Sequence, residues 1–249
     1  MEELFNKLHL KLGQKIQKML RKFRTFLIIE PRCAPLQLKE HGLKILKINK
    51  NKFLYVISPL KIDKIFYSDL IQVLNQNKIS FFQLRLKKKS FKNKLLIGKK
   101  IKKICKKFNV KFLINDDVYL TKKLNADGCH LGQKDMNILD ARKLIGDKII
   151  GITCHNSIKL AKDAIKNNAD YIAFGAFNSS KTKKIKYKAS INLLRKARKI
   201  TKTPIVVIGG INSKNYKKLL LNKANFLAIS GYIWNNKKLT PVEAIKKIK

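Results

Sequence analysis

The sequence is short of acidic residues, cysteines and long apolar runs, and the last two shortages each exclude a class of protein. Asp and Glu number 15 against 57 Lys and Arg, which gives a net charge of +42 over 249 residues. The four cysteines are scattered along the chain, at Cys33, Cys105, Cys129 and Cys154. Because none forms a CxxC pair, we expect neither a structural zinc site nor a disulfide framework. No apolar run reaches about eighteen residues, so the sequence predicts no membrane-spanning helix and favours a cytoplasmic protein.

The positive charge is spread over the chain instead of being gathered in one block. Lysine pairs and runs recur in most of the segments that read as helices, for example at 99–103 and 217–218. Solvated helix faces account for this pattern, so we expect no specific nucleic-acid partner. A basic nucleic-acid-binding protein is the alternative from another functional class, and it predicts tight, salt-dependent binding. A basic surface would also attract anionic substrates.

The first fifty residues form a segment of their own, and we divide the chain into an extension at 1–50 and a catalytic domain at 51–249. Apolar residues recur there at three- and four-residue steps: Leu4, Phe5, Leu8, Leu12, Ile16, Met19, Leu20, Phe23 and Leu27. This spacing predicts a basic amphipathic helix. Two interpretations stay open, since the apolar face can pack on the rest of the protein or a partner, or can make peripheral contact with an anionic membrane surface.

From residue 53 onward, short apolar runs alternate with amphipathic segments. The predicted strands are Phe53–Ser58, Ser80–Leu86, Lys111–Asn115, Gly128–Leu131, Ile149–Thr153, Tyr171–Phe177, Pro204–Ile208 and Phe226–Ser230. The predicted helices are Ser68–Asn77, Lys92–Phe108, Val118–Leu124, Ile138–Ile145, Ile158–Asn167, Ile191–Ile200, Ser213–Leu221 and Pro241–Ile248. Strict strand-then-helix alternation predicts an α/β protein, and eight units fit a (β/α)8 TIM barrel. A doubly wound sheet would want a GxGxxG turn after its first strand, but residues 57–67 contain no glycine.

Polar residues at the carboxyl ends of the strands are the candidate site residues, because barrel enzymes carry their active sites at that face. Arg85 and Lys87 are two residues apart and so share one face at the end of strand 2. Two cations with the amide of Gln83 suit a diphosphate group. The alternative is a lysine-rich loop without a ligand, since Lys87–Lys89 is a run of lysines.

Two acids follow neighbouring strands, Asp116 after strand 3 and Asp135 after strand 4. In a chain with so few acids, two carboxylates beside cations suggest Mg2+ held together with a substrate diphosphate. The alternative is that each acid caps the helix that follows it. Taken together, and with cations nearby, the pair favours the metal.

The later strand ends add hydroxyls, glycines and one histidine. Thr153 offers a hydroxyl at the end of strand 5, and His155 could act in acid–base chemistry or support its loop, which we favour. The polar loop 175–183 suits an anion and a mobile lid. Gly209 and Gly210 after strand 7, with a helix start after Ser230, are typical of a barrel phosphate site.

Six motifs in this order resemble the thiamine-phosphate synthase family over about residues 53–234. Residues 83–87 resemble its Q-x-R-x-K, 115–116 its N-D, and 126–135 its A-D-G-V-H-L-G-Q-x-D. Residues 151–155 are similar to G-x-S-x-H, 175–183 to G-P-x-x-x-T-x-T-K, and 208–211 to I-G-G-I. The chain departs from these patterns at Thr153, Ala176, Ser180 and Lys181.

The resemblance implies a transferase that joins hydroxymethylpyrimidine diphosphate to hydroxyethylthiazole phosphate. Pyrophosphate would leave first, and the thiazole nitrogen would attack the pyrimidine-methyl cation. The resemblance implies Mg2+ at Asp116 and Asp135. It implies that the pyrimidine diphosphate contacts Gln83, Arg85, Lys87, Asn115, Thr153 and Lys183. It implies that the thiazole phosphate contacts Ser180, Lys181, Thr182, Gly209, Ile229 and Ser230. The residues expected to stabilise the leaving group are Arg85, Lys87, Thr153 and Lys183.

Two further alternatives remain within the barrel fold. A thiazole tautomerase of the same superfamily would be an isomerase with no use for a diphosphate-bound metal, and the acids and cations argue against it. A degenerate barrel with a structural role is disfavoured by the same residues. The partners expected are therefore small phosphorylated molecules, and the sequence leaves open a homo-oligomer.

Overall fold

The computed structural model describes residues 53–179 and 186–248. The predicted N-terminal extension at 1–50 lies outside the described residues. So do four predicted substrate-binding residues of the loop after strand 6, Ser180, Lys181, Thr182 and Lys183.

Eight parallel strands in the described chain close into a barrel in sequence order, with β8 pairing back onto β1. Their bounds are β1 Leu54–Ile57, β2 Ile79–Leu84, β3 Lys111–Asn115, β4 Gly128–Leu131, β5 Ile149–His155, β6 Tyr171–Gly175, β7 Ile205–Ile208 and β8 Phe226–Ile229. The predicted (β/α)8 architecture is confirmed.

Helices follow the strands around the outside of the barrel. They are α1 Lys64–Leu74, α2 Phe91–Lys107, α3 Val118–Leu124, α4 Ile138–Ile145, α5 Ile158–Lys166, α6 Ile191–Ile200, α7 Tyr216–Leu221, α8 Gly231–Trp234 and α9 Pro241–Lys246. Within the described ranges, no helix has the length and apolarity needed to cross a bilayer.

Side-chain caps set several helix starts, and the sequence signals for them hold. Ser157 and Ser190 accept hydrogen bonds from backbone N–H groups in the first turns of α5 and α6. Thr240 and Glu243 form a reciprocal capping box with Pro241 at the first position of α9. Three starts differ from the prediction. Helix α1 begins at Lys64 and not at Ser68, because Asp63 accepts a hydrogen bond from Phe66 N. Helix α7 begins three residues later than predicted, at Tyr216, and α2 one residue earlier, at Phe91.

Two apolar clusters form the core, and membership of one or the other shows on which side of the sheet a strand residue lies. The inner cluster fills the barrel and consists of Tyr55, Ile57, Phe81, Leu113, Tyr171, Ala173, Val206, Phe226 and Ala228. The outer cluster lies between strands and helices and contains Leu54, Val56, Phe82, Leu84 and Leu86 among others. Successive strand residues point to opposite faces. Strand residues that alternate with those of the outer cluster therefore point into the barrel. Inward-pointing residues that follow the inner cluster along a strand lie at the mouth of the barrel.

Candidate active site

Gln83 and Arg85 point into the barrel at the end of β2. Phe81 lies in the inner cluster, while Leu84 and Leu86 lie in the outer one, so Gln83 and Arg85 face inward. Gln83 is only 2% exposed, and within the described residues its side-chain Nε2 has no hydrogen-bond partner. A buried amide without a partner is unfavourable unless a ligand supplies one.

Lys87 and Asp116 meet at the mouth, where their charged atoms are 3.0 Å apart. Asp116 follows β3 with a left-handed backbone, at φ 64°, and its N–H donates to the carbonyl of His130 on β4. Asp is one of the few residues that adopt this conformation readily. The turn sends the Asp116 carboxylate toward Lys87, which the sequence had placed in the same site.

Asp135 reaches the same place from the loop after β4. Its carboxylate accepts a 2.6 Å hydrogen bond from Gly132 N, and a Cβ at position 132 would approach within 3.0 Å of that carboxylate. Burial raises the pKa of Asp135 above its usual range, the Gly132 N–H opposes this, and the Asp116 carboxyl raises the pKa further. The Asp116 carboxyl therefore lies close enough to that of Asp135 to influence its protonation.

Neither acid caps a helix, so the capping alternative is wrong for both. Asp117, not Asp116, caps α3 by accepting from Leu120 N at 2.9 Å, and it also pairs with Lys94 at 3.4 Å. Asn137, not Asp135, caps α4. The carboxylates of the two predicted metal ligands are thus not used in helix capping, while nearby residues in the sequence cap the helices.

A cavity of about 430 Å³ adjoins Asp116 on the side of the barrel where α3 begins. Its polar lining is Lys87, Lys94, Asn115, Asp116 and Asp117, and much of its apolar lining belongs to the outer cluster. The volume falls in the range of small-molecule pockets. The structure thus brings Asn115 together with the acid and the cation with which the sequence grouped it.

A chain of hydrogen-bonded polar groups crosses the barrel interior beneath the mouth. It was not predicted from the sequence. His130 Nε2 lies 2.8 Å from the Thr153 hydroxyl, and His130 Nδ1 lies 2.9 Å from the Tyr171 hydroxyl. The Tyr171 hydroxyl lies 2.9 Å from that of Tyr55. Burial lowers the pKa of His130 to about 4, with a smaller opposing effect from Asp116, so the imidazole is neutral at neutral pH.

The signal for His130 was present in the sequence as strand alternation. It stands two residues after Gly128 on β4 and pairs in register with Asn115 on β3. The position of Tyr171 at the start of β6 gives no hint in the sequence of a polar partner. A ring at 171 can lie across the barrel because Gly151 has no Cβ, which would come within 1.8 Å of Tyr171 Cζ.

Ser58 is a second residue that the sequence reading passed over. It lies just after β1 and is 3% exposed. Its hydroxyl accepts a 2.9 Å hydrogen bond from Arg85 N, and its carbonyl accepts one of 3.3 Å from the Ser230 hydroxyl. Ser58 therefore ties the end of β2 to the end of β8, which carry residues predicted for two different substrates.

The glycine pair after β7 forms a tight turn. Gly209 and Gly210 have φ angles of 110° and 56°, and a Cβ on Gly210 would lie 2.1 Å from the carbonyl oxygen of Ser179. Asn215 fixes this turn by donating from Nδ2 to the Gly210 carbonyl at 2.9 Å. Ile229 packs its side chain into the outer cluster, so only its main chain is directed to the mouth.

His155 contacts the loop after β6. Its ring stacks on Tyr187 with centroids 4.2 Å apart, and its φ is 50°. This placement agrees with the supporting role that the sequence favoured.

Comparisons with known proteins agree with one another. The family model described as thiamine monophosphate synthase matches residues 54–233. A thiamine-phosphate synthase of Pelagibacter ubique (strain HTCC1062) is 69% identical over 204 residues, which cover 82% of this chain and 98% of that relative. One of Erythrobacter litoralis (strain HTCC2594) is 36% identical, covering 77% of this chain and 92% of the relative. A solved thiamine phosphate pyrophosphorylase from Pyrococcus furiosus is 27% identical with a TM-score of 0.71, covering 80% of this chain and 94% of that one.

Proposed function

The chain belongs to the thiamine monophosphate synthase family, and from that premise we propose that it joins hydroxymethylpyrimidine diphosphate to hydroxyethylthiazole phosphate as a thiamine-phosphate synthase. The bond between the pyrimidine methylene carbon and the diphosphate oxygen breaks, and the diphosphate leaves with the electron pair. The thiazole nitrogen then gives its lone pair to that carbon. The products are thiamine phosphate and pyrophosphate.

The observation that carries the proposal is the meeting of two scarce carboxylates with two cations at the mouth of the barrel. Asp116 lies 3.0 Å from Lys87 and beside Asp135, and Arg85 faces inward close enough to lower the pKa of His130. A leaving diphosphate develops negative charge that fixed cations stabilise. Arg85 and Lys87 supply that charge, and the proposal extends the same task to Lys183.

The two carboxylates fit Mg2+, which prefers carboxylate oxygens and keeps sites for water and phosphate oxygens. No third acidic, histidine or cysteine side chain joins Asp116 and Asp135 in the described parts of the chain. We therefore assign Asp116 and Asp135 as the protein ligands. Bound Mg2+ would neutralise charge on the diphosphate.

The remaining groups orient the two substrates. The unpartnered amide of Gln83 suits the polar edge of the pyrimidine, while Asn115 and the Thr153 hydroxyl lie on the same inward face. On the other side, the main chain at Gly209 and Ile229 and the hydroxyl of Ser230 suit the thiazole phosphate. The proposal places Ser180, Lys181 and Thr182 with the same substrate, by the family resemblance alone.

The test is to mix the protein with both substrates and Mg2+ and to quantify both products. We expect pyrophosphate and thiamine phosphate in equal amounts, and neither product when one substrate or Mg2+ is omitted. A tautomerase would isomerise a thiazole carboxylate phosphate without releasing pyrophosphate. A folded protein that releases no pyrophosphate would contradict the proposal.

A further inference from the structure

The polar chain through the barrel has one more proton than it has links. Its members are Tyr55, Tyr171, His130 and Thr153, joined by three contacts of 2.8–2.9 Å. Within the described residues, the two ring nitrogens of His130 contact hydroxyls and no carboxylate, so no counter-ion on the ring favours an imidazolium. Three hydroxyls and one neutral imidazole each carry one proton that can be donated. Three links use three of these protons, so the fourth must point away from the chain, either from Thr153 at the mouth or from one of the two buried tyrosines.

The two ends of the chain differ in what surrounds them. Tyr55 is 2% exposed, and within the described residues its hydroxyl has Tyr171 as its one hydrogen-bond partner. If Tyr55 carried the spare proton, a buried donor would lack an acceptor, which costs on the order of 1–3 kcal/mol. Thr153 is partly exposed at the mouth, where a ligand or water can accept the proton.

We infer that Tyr171 and His130 are positioning residues that fix the Thr153 hydroxyl as a hydrogen-bond donor toward the ligand at the barrel mouth. Tyr55 donates to Tyr171, Tyr171 donates to His130 Nδ1, and His130 Nε2 donates to Thr153. Thr153 then accepts from the protein and donates outward. A hydroxyl held in this way matches an anionic oxygen, which accepts and cannot donate.

The Thr153 main chain is held as well, which fixes the point from which its hydroxyl reaches His130. Gln133 Nε2 donates to the Thr153 carbonyl, and Thr153 pairs with Ala173 of β6 in the barrel. That Thr153 donates to a diphosphate oxygen rests on the proposed function. The order of the protons along the chain is independent of the proposed function.

The direct test of the proton order is the tautomer of His130, read from the ring nitrogens of 15N-histidine-labelled protein by NMR. The sequence has four histidines, and loss of one signal in His130→Gln identifies the relevant ring. If that variant does not fold, the shift of one ring in Thr153→Val serves instead. We expect the proton on Nε2. A proton on Nδ1 would reverse the chain and overturn the inference, whether or not the protein is a synthase.

Steady-state kinetics supply the functional test with a matched pair of hydroxyl deletions. Tyr171→Phe breaks the chain at His130, so Thr153 is no longer held as a donor. Tyr55→Phe removes a hydroxyl from the same interior but leaves Tyr171 donating to His130. We expect Tyr171→Phe to raise the KM for the pyrimidine diphosphate about three- to ten-fold. We expect Tyr55→Phe to change it less than about two-fold.

Repeating Tyr171→Phe in a Thr153→Val background shows whether Tyr171 acts through Thr153. In Thr153→Val the hydroxyl is gone, so adding Tyr171→Phe should leave the KM for the pyrimidine diphosphate unchanged. An equal effect of Tyr171→Phe in both backgrounds, or equal effects of the two tyrosine changes, would overturn the inference. If the wild-type chain has no synthase activity, the proposed function fails while the tautomer measurement still decides the proton order.

Discussion

Asp116 and Asp117 are adjacent in the sequence, but their carboxylates serve different parts of the molecule. Asp117 caps α3 and pairs with Lys94, whereas the left-handed turn at Asp116 sends its carboxylate to Lys87 and Asp135. At the scale of single residues, the account therefore depends on two acids that take no part in helix capping.

Asp135→Asn tests this division of roles. The change keeps the size of the side chain but removes one of the two carboxylates proposed to bind Mg2+, so we expect kcat/KM to fall on the order of 100-fold. We also expect a higher Mg2+ concentration for half-maximal rate. Asp140→Asn is the control, because that carboxylate is exposed on α4 and contacts Lys143 and Asn137. Equal losses in both variants would contradict the assignment.

Gln83 offers a prediction in which stability and function change in opposite directions. Its buried Nε2 has no hydrogen-bond partner in the part of the chain that the structure describes, so Gln83→Met removes an unfavourable group at similar volume. We expect the free energy of unfolding, from urea denaturation, to stay the same or rise by about 1 kcal/mol. The KM for the pyrimidine diphosphate should rise at least about ten-fold, since a lost polar contact is not replaced. A large loss of stability would show that the amide is satisfied within the protein.

At the scale of elements, the sequence predicted every strand of the barrel and most helix bounds. Three helix spans, Val118–Leu124, Ile138–Ile145 and Ile191–Ile200, agree with the sequence-based prediction at both ends, because periodicity and caps are local signals. Errors lie at ends where a different local bond decides, as at Asp63. Strand 5 runs two residues further, to His155, where the register with β6 shifts.

The candidate site was predictable where it follows strand ends and not where it depends on contacts across the barrel. Arg85, Asn115 and Asp116 follow from alternation and chain order. The chain from Tyr55 to Thr153 joins residues 116, 41 and 23 positions apart, and Ser58 joins β2 to β8. Such pairings depend on how the sheet closes, which no local pattern encodes.

The turn after β7 gives a prediction for an element and has a matched control. Gly210 and Gly146 both have φ 56°, but a Cβ would meet the Ser179 carbonyl only at position 210. Gly146→Ala should lower the free energy of unfolding by about 1–3 kcal/mol from backbone strain alone, because φ 56° with ψ −130° lies outside the left-handed helical region. Gly210→Ala should lose roughly 2 kcal/mol more and raise the KM for the thiazole phosphate. Thermal and urea unfolding measure both losses. If the two variants lose similar free energies of unfolding, the turn at Gly210 can relax and the prediction is wrong.

At the scale of the whole molecule, the net charge of +42 is a property of the surface more than of the site. Fixed positive charge attracts anionic substrates over distances that salt screens, about 10 Å at 0.1 M. We expect kcat/KM for both phosphorylated substrates to fall several-fold between about 50 and 300 mM NaCl at constant Mg2+, with kcat nearly constant. A kcat that falls while kcat/KM stays level would place the salt effect on the chemical step instead.

The central claim is that Asp116, Asp135, Arg85 and Lys87 surround one diphosphate at the open end of the barrel. The most direct measurement is a crystal structure with Mn2+ and pyrophosphate, in which anomalous scattering locates the metal. We predict a Mn2+ peak coordinated by Asp116 and Asp135 and shared with a pyrophosphate that contacts Arg85 and Lys87. Pyrophosphate bound away from these four residues, or Mn2+ coordinated by neither acid, would contradict the account.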